Sequence, residues 1–174
     1  DLHRNLRTSI LRALVGGKWL SFRKLNVEKW LKVNLKVDKL PNIHIVDRYL
    51  ATLAPLGIQP DKQGLEFHFP KEFEAPRIPA GFESGFIAVV VGAKHATKQL
   101  PVHKLTELCN GLHQPILLIG GPEDKAIADE VIRTAEGTLY NGCGVYSIAR
   151  SAWMLQQAQA VITHDTGMMH IAAA

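Results

Sequence analysis

The sequence AVITHDTGMMHI, residues 160–171, decides the fold class of this chain. Its first four residues are apolar or β-branched and predict a short buried strand, and a helix is predicted to begin directly after Asp165. Asp165 or Thr166 can cap this helix, and Gly167 lets a ligand approach its first amides closely. Unpaired amides and the positive end of the helix dipole both favour a phosphate there. An ordinary capped turn is the structural alternative, because such turns are common.

The residues upstream repeat the same strand–helix pattern three times. Apolar strands are predicted over residues 86–91 and 115–119, with a weaker one over 138–140, and amphipathic helices follow each of them. Continuous apolar strands that alternate with amphipathic helices predict a parallel sheet with helices on both faces, so the fold class is α/β. The C-terminal ends of such strands lie on one edge of the sheet, where ligands bind.

The first part of the chain has a different pattern. Residues 1–58 are predicted to be mostly helical, with helices over 5–15, 27–35 and 43–56. Residues 59–85 hold four of the nine prolines and one alternating strand, 65–69, and are predicted to be a linker or domain crossover. Residues 86–174 then form the predicted α/β domain.

The composition is that of a globular protein, with 47% hydrophobic and 21% charged residues in 174. No apolar run approaches the ~20 residues that span a bilayer. The chain lacks an initiator Met and stops within a predicted helix, so we expect it to be a fragment. Cys109 and Cys143 have no metal-ligand spacing and are expected to be reduced thiols of a cytosolic protein.

Basic residues are concentrated near the start of the chain, and the net charge is +4. A basic face can attract nucleic acid, an anionic membrane or a phosphorylated substrate, although a solvated helical surface explains most of these residues. No stacking aromatics are interleaved with the basic residues, which argues against nucleic acid.

Four loops follow the predicted strands and should lie close together at one sheet edge. Residues 92–101 contain Lys94, Thr97 and Lys98, whose hydroxyl and ammonium groups suit a phosphate. Residues 120–124 contain Glu123, which can accept ribose hydroxyls or simply cap a helix. Residues 141–144 can be only a tight turn, and residues 165–167 form the fourth loop. Together they predict a nucleotide diphosphate site.

The usual nucleotide motifs are absent from the sequence. No G-x-G-x-x-G follows a strand and no G-x-x-x-x-G-K-[ST] is present, so this is neither the common dinucleotide site nor a P-loop. His164 and His170 lie six residues apart across a strand–helix turn, which is no recognised metal spacing.

Four motifs follow one another in a specific order along the second half of the chain. They are Gly92-Ala93…Thr97-Lys98-x-x-Pro101, Leu118-Ile119-Gly120-Gly121-Pro122-Glu123, Asn141-Gly142-Cys143-Gly144 and Asp165-Thr166-Gly167-Met168-Met169-His170-Ile171-Ala172-Ala173-Ala174. In this order they resemble the motifs of glycosyltransferase family 9, the ADP-heptose:lipopolysaccharide heptosyltransferases. The resemblance covers about residues 44–174. One departure is Leu100, where the family usually has Trp before the proline.

The resemblance implies a GT-B arrangement of two Rossmann-like domains. Residues 1–58 would then be the helical end of the N-terminal, acceptor-side domain, and 86–174 an incomplete donor-binding domain. Lys98 and Thr97 would contact the diphosphate and Glu123 the ribose. Thr166 and Gly167 would offer amides to phosphate, with Asp165 and His170 near the sugar and diphosphate. The general base would precede Asp1, so this chain holds no catalytic base and is expected to be inactive alone.

The resemblance also implies an inverting enzyme, without metal or cofactor, that transfers heptose from a sugar nucleotide, ADP-heptose above all, to a lipopolysaccharide core or similar glycan. We expect a cytoplasmic protein that can associate with the inner membrane face. The alternatives are a sugar-nucleotide epimerase of similar build and a nucleotide-sugar-binding module without chemistry.

Overall fold

The computed structural model describes residues 1–60, 63–93 and 95–174, and the chain divides into two compact units, Asp1–Gln63 and Gly64–Ala174. The first unit contains three α-helices and the second contains four strands and four α-helices among the described residues. The α-helices are α1 (Leu6–Val15), α2 (Asn26–Asn34), α3 (Ile45–Leu50), α4 (Val102–Asn110), α5 (Lys125–Thr134), α6 (Ile148–Gln157) and α7 (Gly167–Ala172). The strands are β1 (Ile87–Val90), β2 (Ile116–Ile119), β3 (Leu139–Asn141) and β4 (Ala160–Ile162).

A capping box and a proline account for two of the helix boundaries in the first unit. Asn5 caps α1, because its side chain accepts from the Thr8 amide at 3.0 Å while the Asn5 amide donates to the Thr8 hydroxyl at 3.0 Å. The predicted helix over 43–56 is two elements, α3 and a 3-10 helix, Ala51–Leu56. Pro55 lies inside the 3-10 helix; because it has no N–H and its ring would crowd the carbonyl of Ala51 in an α-helix, a continuous α-helix through residue 55 is disfavoured.

The second unit contains a parallel sheet in the strand order β3-β2-β1-β4. β1 is central: Val89 lies opposite Leu118 of β2 and Ile162 of β4. Alternate side chains along β1 and β2 enter two separate apolar clusters. One cluster joins Val89 and Leu118 to α4 and α5, and the other joins Val90 and Leu117 to α6. The α/β prediction of a parallel sheet with helices on both faces is therefore confirmed.

The strand predicted over residues 65–69 is wrong. These residues have no regular secondary structure, and their alternation reflects a small aromatic cluster instead. Phe67 and Phe69 have ring centroids 5.1 Å apart, and Phe69 and Phe73 have centroids 4.6 Å apart. Alternation predicts a strand only where a neighbour supplies the ladder of backbone hydrogen bonds, and none of the four strands pairs with this segment.

No helix among the residues that the structure describes has both the length and the apolar character needed to cross a membrane. The assignment of 1–58, 59–85 and 86–174 to an acceptor-side domain, a linker and a donor domain stays a prediction.

Candidate functional site

A cavity of about 950 Å³ opens at the C-terminal edge of the sheet. Its walls come from the ends of β1 and β2, the loops after them, the start of α6 and the start of α7. Cavities of this size hold drug-sized ligands, and parallel sheets bind ligands at this edge. The wall includes Gly92, Gly120, Gly121, Glu123, Asp124, Tyr146, Ser147, Thr166 and Gly167.

The lysine loop, defined as residues 95–101 after β1, brings Lys98 to the turn before α7. The Lys98 Nζ lies 2.5 Å from Asp165 Oδ2 and 3.4 Å from the Asp165 carbonyl oxygen. Both side chains are largely exposed, at 42% for Lys98 and 67% for Asp165. An exposed pair is weak because water screens it, so an anionic ligand can draw the lysine away from Asp165 at little cost.

The same pairing changes the acidity of Asp165. The Lys98 ammonium, through its hydrogen bond and its charge, holds the pKa of the Asp165 carboxyl below its usual value, and the charge of His170 adds to this. A carboxyl with a depressed pKa stabilises the folded state above the ordinary carboxyl range of about pH 4, and this contribution is lost as pH falls through the lowered pKa.

The loop after β2 places two adjacent carboxylates differently. Asp124 is buried, and its Oδ2 accepts from the Gly121 amide at 2.8 Å. A Cβ at Gly92 would lie 2.0 Å from Asp124 Oδ2, so only glycine leaves room for this carboxylate. Glu123 is exposed in the cavity wall, and its carboxylate lies over Gly121. Asp124 therefore shapes the wall, while Glu123 is free to accept hydrogen bonds from a ligand.

The turn before α7 contributes Thr166 and Gly167 to the wall. Thr166 occupies the N-cap position with extended backbone, yet its side chain makes no capping bond. Its Oγ1 is buried and lacks a hydrogen-bond partner among the described residues. The carboxylate of Asp165 is bonded to Lys98. The structure shows neither predicted capping bond, which leaves the Thr166 hydroxyl unpaired beside the cavity.

The start of α6 forms the opposite wall. Ser147 is the N-cap of α6, with its Oγ accepting from the Arg150 amide at 3.4 Å. Tyr146 precedes it in the cavity wall, and burial, with the neighbouring Tyr140, raises the pKa of Tyr146 to about 12. The phenol therefore stays neutral at physiological pH and presents a flat, partly apolar surface to a ligand.

The loop over residues 141–144 supports the site from outside. The Asn141 Oδ1 accepts from the Cys143 amide at 2.9 Å, and the Gly144 amide donates to the Gly120 carbonyl at 3.0 Å. Burial raises the pKa of the Cys143 thiol to about 12, and the Asp124 carboxylate adds to this. Because only the thiolate is reactive, Cys143 serves in packing rather than chemistry.

The predicted site residues fall into two groups. Glu123, Thr166 and Gly167 lie in the cavity wall, whereas Lys98 and Asp165 form a pair outside it. Thr97 and His170 are exposed and also lie outside the wall, although His170 is close enough to act on the pKa of Asp165. Lys94 lies outside the described residues.

Among the described residues of the wall, five with polar side chains were missing from the predicted site: Gln99, Asp124, Tyr146, Ser147 and Ser151. Asp124 could be noticed only as a carboxylate at a helix start, and Ser147 only as a capping residue. Nothing in the sequence marks Tyr146, because the aromatic lining of a cavity has no fixed spacing.

The arrangement can bind an anion beside a large cavity whose lining is mostly apolar. Within the described ranges, no three His, Cys, Asp or Glu side chains are grouped so that they could hold a metal ion. The ammonium of Lys98, the Thr166 hydroxyl and the first amides of α7 are donors near one edge, and Glu123 is an exposed acceptor in the wall. Donors suit phosphate oxygens and an acceptor suits sugar hydroxyls.

Comparison with known proteins gives a consistent result. The model of glycosyltransferase family 9 (heptosyltransferase) matches residues 2–174. The solved glycosyl transferase family 9 from Veillonella parvula is 18% identical with a TM-score of 0.64, over 98% of this chain and 53% of that chain. The E. coli ADP-heptose lps heptosyltransferase II is 18% identical with a TM-score of 0.51, over 74% of this chain and 44% of that chain.

Among curated proteins, none matches this sequence. The chain spans about half the length of the solved structures it matches, and at 18% identity that likeness concerns the fold.

Proposed function

Because the chain belongs to glycosyltransferase family 9, a family of glycosyltransferases, we propose that its Gly64–Ala174 unit binds the sugar nucleotide that donates a heptose or related sugar. The observation that carries the proposal is the cavity at the C-terminal edge of the parallel sheet, with Glu123, Thr166 and Gly167 in its wall. The exposed Lys98–Asp165 pair beside it supplies a cation for the diphosphate.

We propose ADP-heptose as the donor. Glu123 would accept hydrogen bonds from the ribose hydroxyls, since its carboxylate is exposed in the wall and does not cap a helix. Thr166 and Gly167 would donate to a phosphate, which gives the buried Thr166 Oγ1 the partner it lacks among the described residues. The E. coli relative is an ADP-heptose heptosyltransferase, which supports the choice of base and sugar.

Transfer requires stabilisation of the negative charge that develops on the departing diphosphate. Lys98 would leave Asp165 for the diphosphate, and fixed amides beside it would act where charge develops, without a metal ion. Asp165, released from the lysine, and the neighbouring His170 would then face the sugar and diphosphate. Inversion at the anomeric carbon, and a general base from outside this chain, are part of the proposal through the family.

We propose that the acceptor is a lipopolysaccharide core or a similar glycan. We also propose that the enzyme acts at the cytoplasmic side of the inner membrane. Lys and Arg residues concentrated in the first 39 positions support peripheral association, because anionic lipid attracts such segments.

Titration calorimetry with ADP-heptose and with a UDP-hexose tests the donor. We expect the ADP-sugar to bind and the UDP-sugar to bind at least tenfold more weakly, and equal affinities would contradict the choice of base. Labelled donor incubated with the whole enzyme, with and without acceptor glycan, tests the reaction. Transfer should require the acceptor; a changed sugar in its absence would indicate an epimerase, and binding without turnover a module without chemistry.

A further inference from the structure

His164 has an unusual position between two functional loops. It follows β4 and immediately precedes Asp165, and its Nε2 lies 3.1 Å from the backbone nitrogen of Leu100 in the lysine loop. Its Nδ1 is buried and has no hydrogen-bond partner among the described residues. The side chain lies outside the cavity wall, so it acts on the site through other residues.

The hydrogen bond fixes the protonation state of the ring. A backbone amide can only donate, so Nε2 must be the unprotonated acceptor, and the single proton of the neutral ring is on Nδ1. A second proton on Nε2 would place two N–H donors against each other and add a positive charge to a half-buried ring. The contact therefore exists only while the ring is neutral.

Among the described residues, two hydrogen-bonded contacts join the lysine loop to the turn before α7. One is the Lys98–Asp165 ion pair, which is exposed and becomes available when an anion draws Lys98 away. The other is the Leu100–His164 bond, which joins residues 64 apart and involves no group that the donor would contact. Once Lys98 turns to a ligand, the Leu100–His164 bond is the hydrogen bond that remains between these two segments in the described part of the chain.

Resting on the function proposed above, we propose that His164 is a positioning residue whose neutral ring docks the lysine loop against the Asp165 turn, so that Lys98 stays within reach of the donor diphosphate. Protonation of the ring releases the loop and weakens donor binding. The docking therefore depends on the charge of the imidazole, a side chain that can change its protonation state.

The charges around His164 are few. The lysine loop carries His95 and Lys98, the turn carries Asp165, and α7 carries His170. β1, the strand paired with β4, has no titratable side chain. Asp165 is already bonded to Lys98, so among these described groups none is left free to compensate a second proton on the ring.

His164→Leu and His164→Gln separate the hydrogen bond from the titration. Leu removes the acceptor, whereas the Gln Oε1 reaches the position of Nε2 and accepts without titrating. The probe is ADP, measured by calorimetry at pH 8 and pH 5.5, with hydrogen–deuterium exchange of residues 95–101 as a second readout. The control is His103→Leu, because His103 is exposed and its side chain has no hydrogen-bond partner among the described residues.

At pH 8 we expect Leu to weaken ADP binding about fivefold, the worth of one hydrogen bond, and Gln to restore most of it. Leu should also speed exchange in the lysine loop, and His103→Leu should change neither readout. At pH 5.5 the wild type should bind ADP more weakly than the Gln variant does. Because ADP has the same ionisation state in both measurements, the ratio of the two affinities reports on His164 alone. KM for the donor should change more than kcat.

Wild-type ADP affinity and unchanged loop exchange in the Leu variant would overturn the proposal, as would a wild-type to Gln ratio that is the same at both pH values. If the Leu variant fails to fold, the pH comparison of the wild type with Gln still decides the matter. Loss of loop protection in the Leu variant, in a protein that binds no ADP, would support the docking role and refute the proposed function instead.

Discussion

The pair of Lys98 and Asp165 is the residue-scale feature that the sequence could not predict. Both were expected near the diphosphate, but a contact between residues 67 apart follows only from the fold. β1 and β4 are adjacent and parallel, so the loops that leave their C-terminal ends meet. The pairing holds Lys98 beside the turn before α7 and lowers the pKa of Asp165.

Lys98→Ala should lower turnover by about 10²-fold, since loss of one fixed donor in a site that stabilises developing charge has this effect. The melting temperature should hardly change, because the pair is exposed. An NMR titration of Asp165 should show its pKa return upward once the ammonium is gone. The matched control is Lys104→Ala, which breaks a similar exposed pair with Glu107 away from the cavity. Equal turnover in the two variants would contradict the role of Lys98.

Two glycines of the cavity wall should respond in opposite ways to alanine. Gly92→Ala forces a methyl group against the buried Asp124 carboxylate and should lower the free energy of unfolding by about 1–3 kcal/mol. At Gly167 no atom lies within 4 Å of an added Cβ, so Gly167→Ala should stay within about 0.5 kcal/mol of the wild type. Its effect should appear instead as weaker ADP binding. Urea unfolding and calorimetry separate the two, and a destabilised Gly167→Ala would show that its role is packing.

At the scale of elements, periodicity was a good guide within the sheet unit and a poorer one outside it. The four βα units were predicted correctly because the sheet into which their apolar residues pack is formed by strands of the same stretch, residues 86–174. The strand predicted over residues 65–69 was wrong because alternating residues do not show whether a partner strand is present. The single helix predicted over residues 43–56 was wrong because Pro55 disfavours a continuous α-helix there. The walls of the cavity were predicted in part: Thr166 and Gly167 lie on a recognisable turn, whereas Tyr146 is placed by the loop before α6.

The helix α6 is held to the sheet by a small number of buried side chains, of which Met154 is fully buried. Met154→Ala should lower the free energy of unfolding by about 2–5 kcal/mol, as expected for a core cavity beside Leu117 and Val90. Gln157→Ala, an exposed change in the last turn of the same helix, should stay within about 0.5 kcal/mol. Thermal and urea unfolding measure both. A loss for Met154→Ala as small as that for Gln157→Ala would contradict the role of Met154 in holding α6 to the sheet.

On the scale of the whole molecule, the two units differ in the cores they contain. The Gly64–Ala174 unit has two clusters of buried side chains, one on each face of its sheet. In the described part of the Asp1–Gln63 unit, the buried apolar residues are Phe22 and Leu25, while large apolar side chains of α1 such as Leu6 and Leu14 are 77% exposed. Stability should therefore be concentrated in the second unit.

Hydrogen–deuterium exchange should show this difference directly. We expect the slowest amides in β1 and β2, whose side chains are almost fully buried, and fast exchange throughout α1 and α2. Protection of α1 equal to that of β1 would contradict the expectation and would mean that its apolar face is covered in solution.

The strand order leaves β4 at the border of the sheet, paired only with β1 among the described residues. Its other side presents backbone donors and acceptors along Ala160–Ile162, which carries no lysine or proline to discourage pairing. In concentrated solution this border is a template for strands of other molecules. The strand that leads to the turn before α7 can thus also join copies of the protein into aggregates, unless another strand shields it.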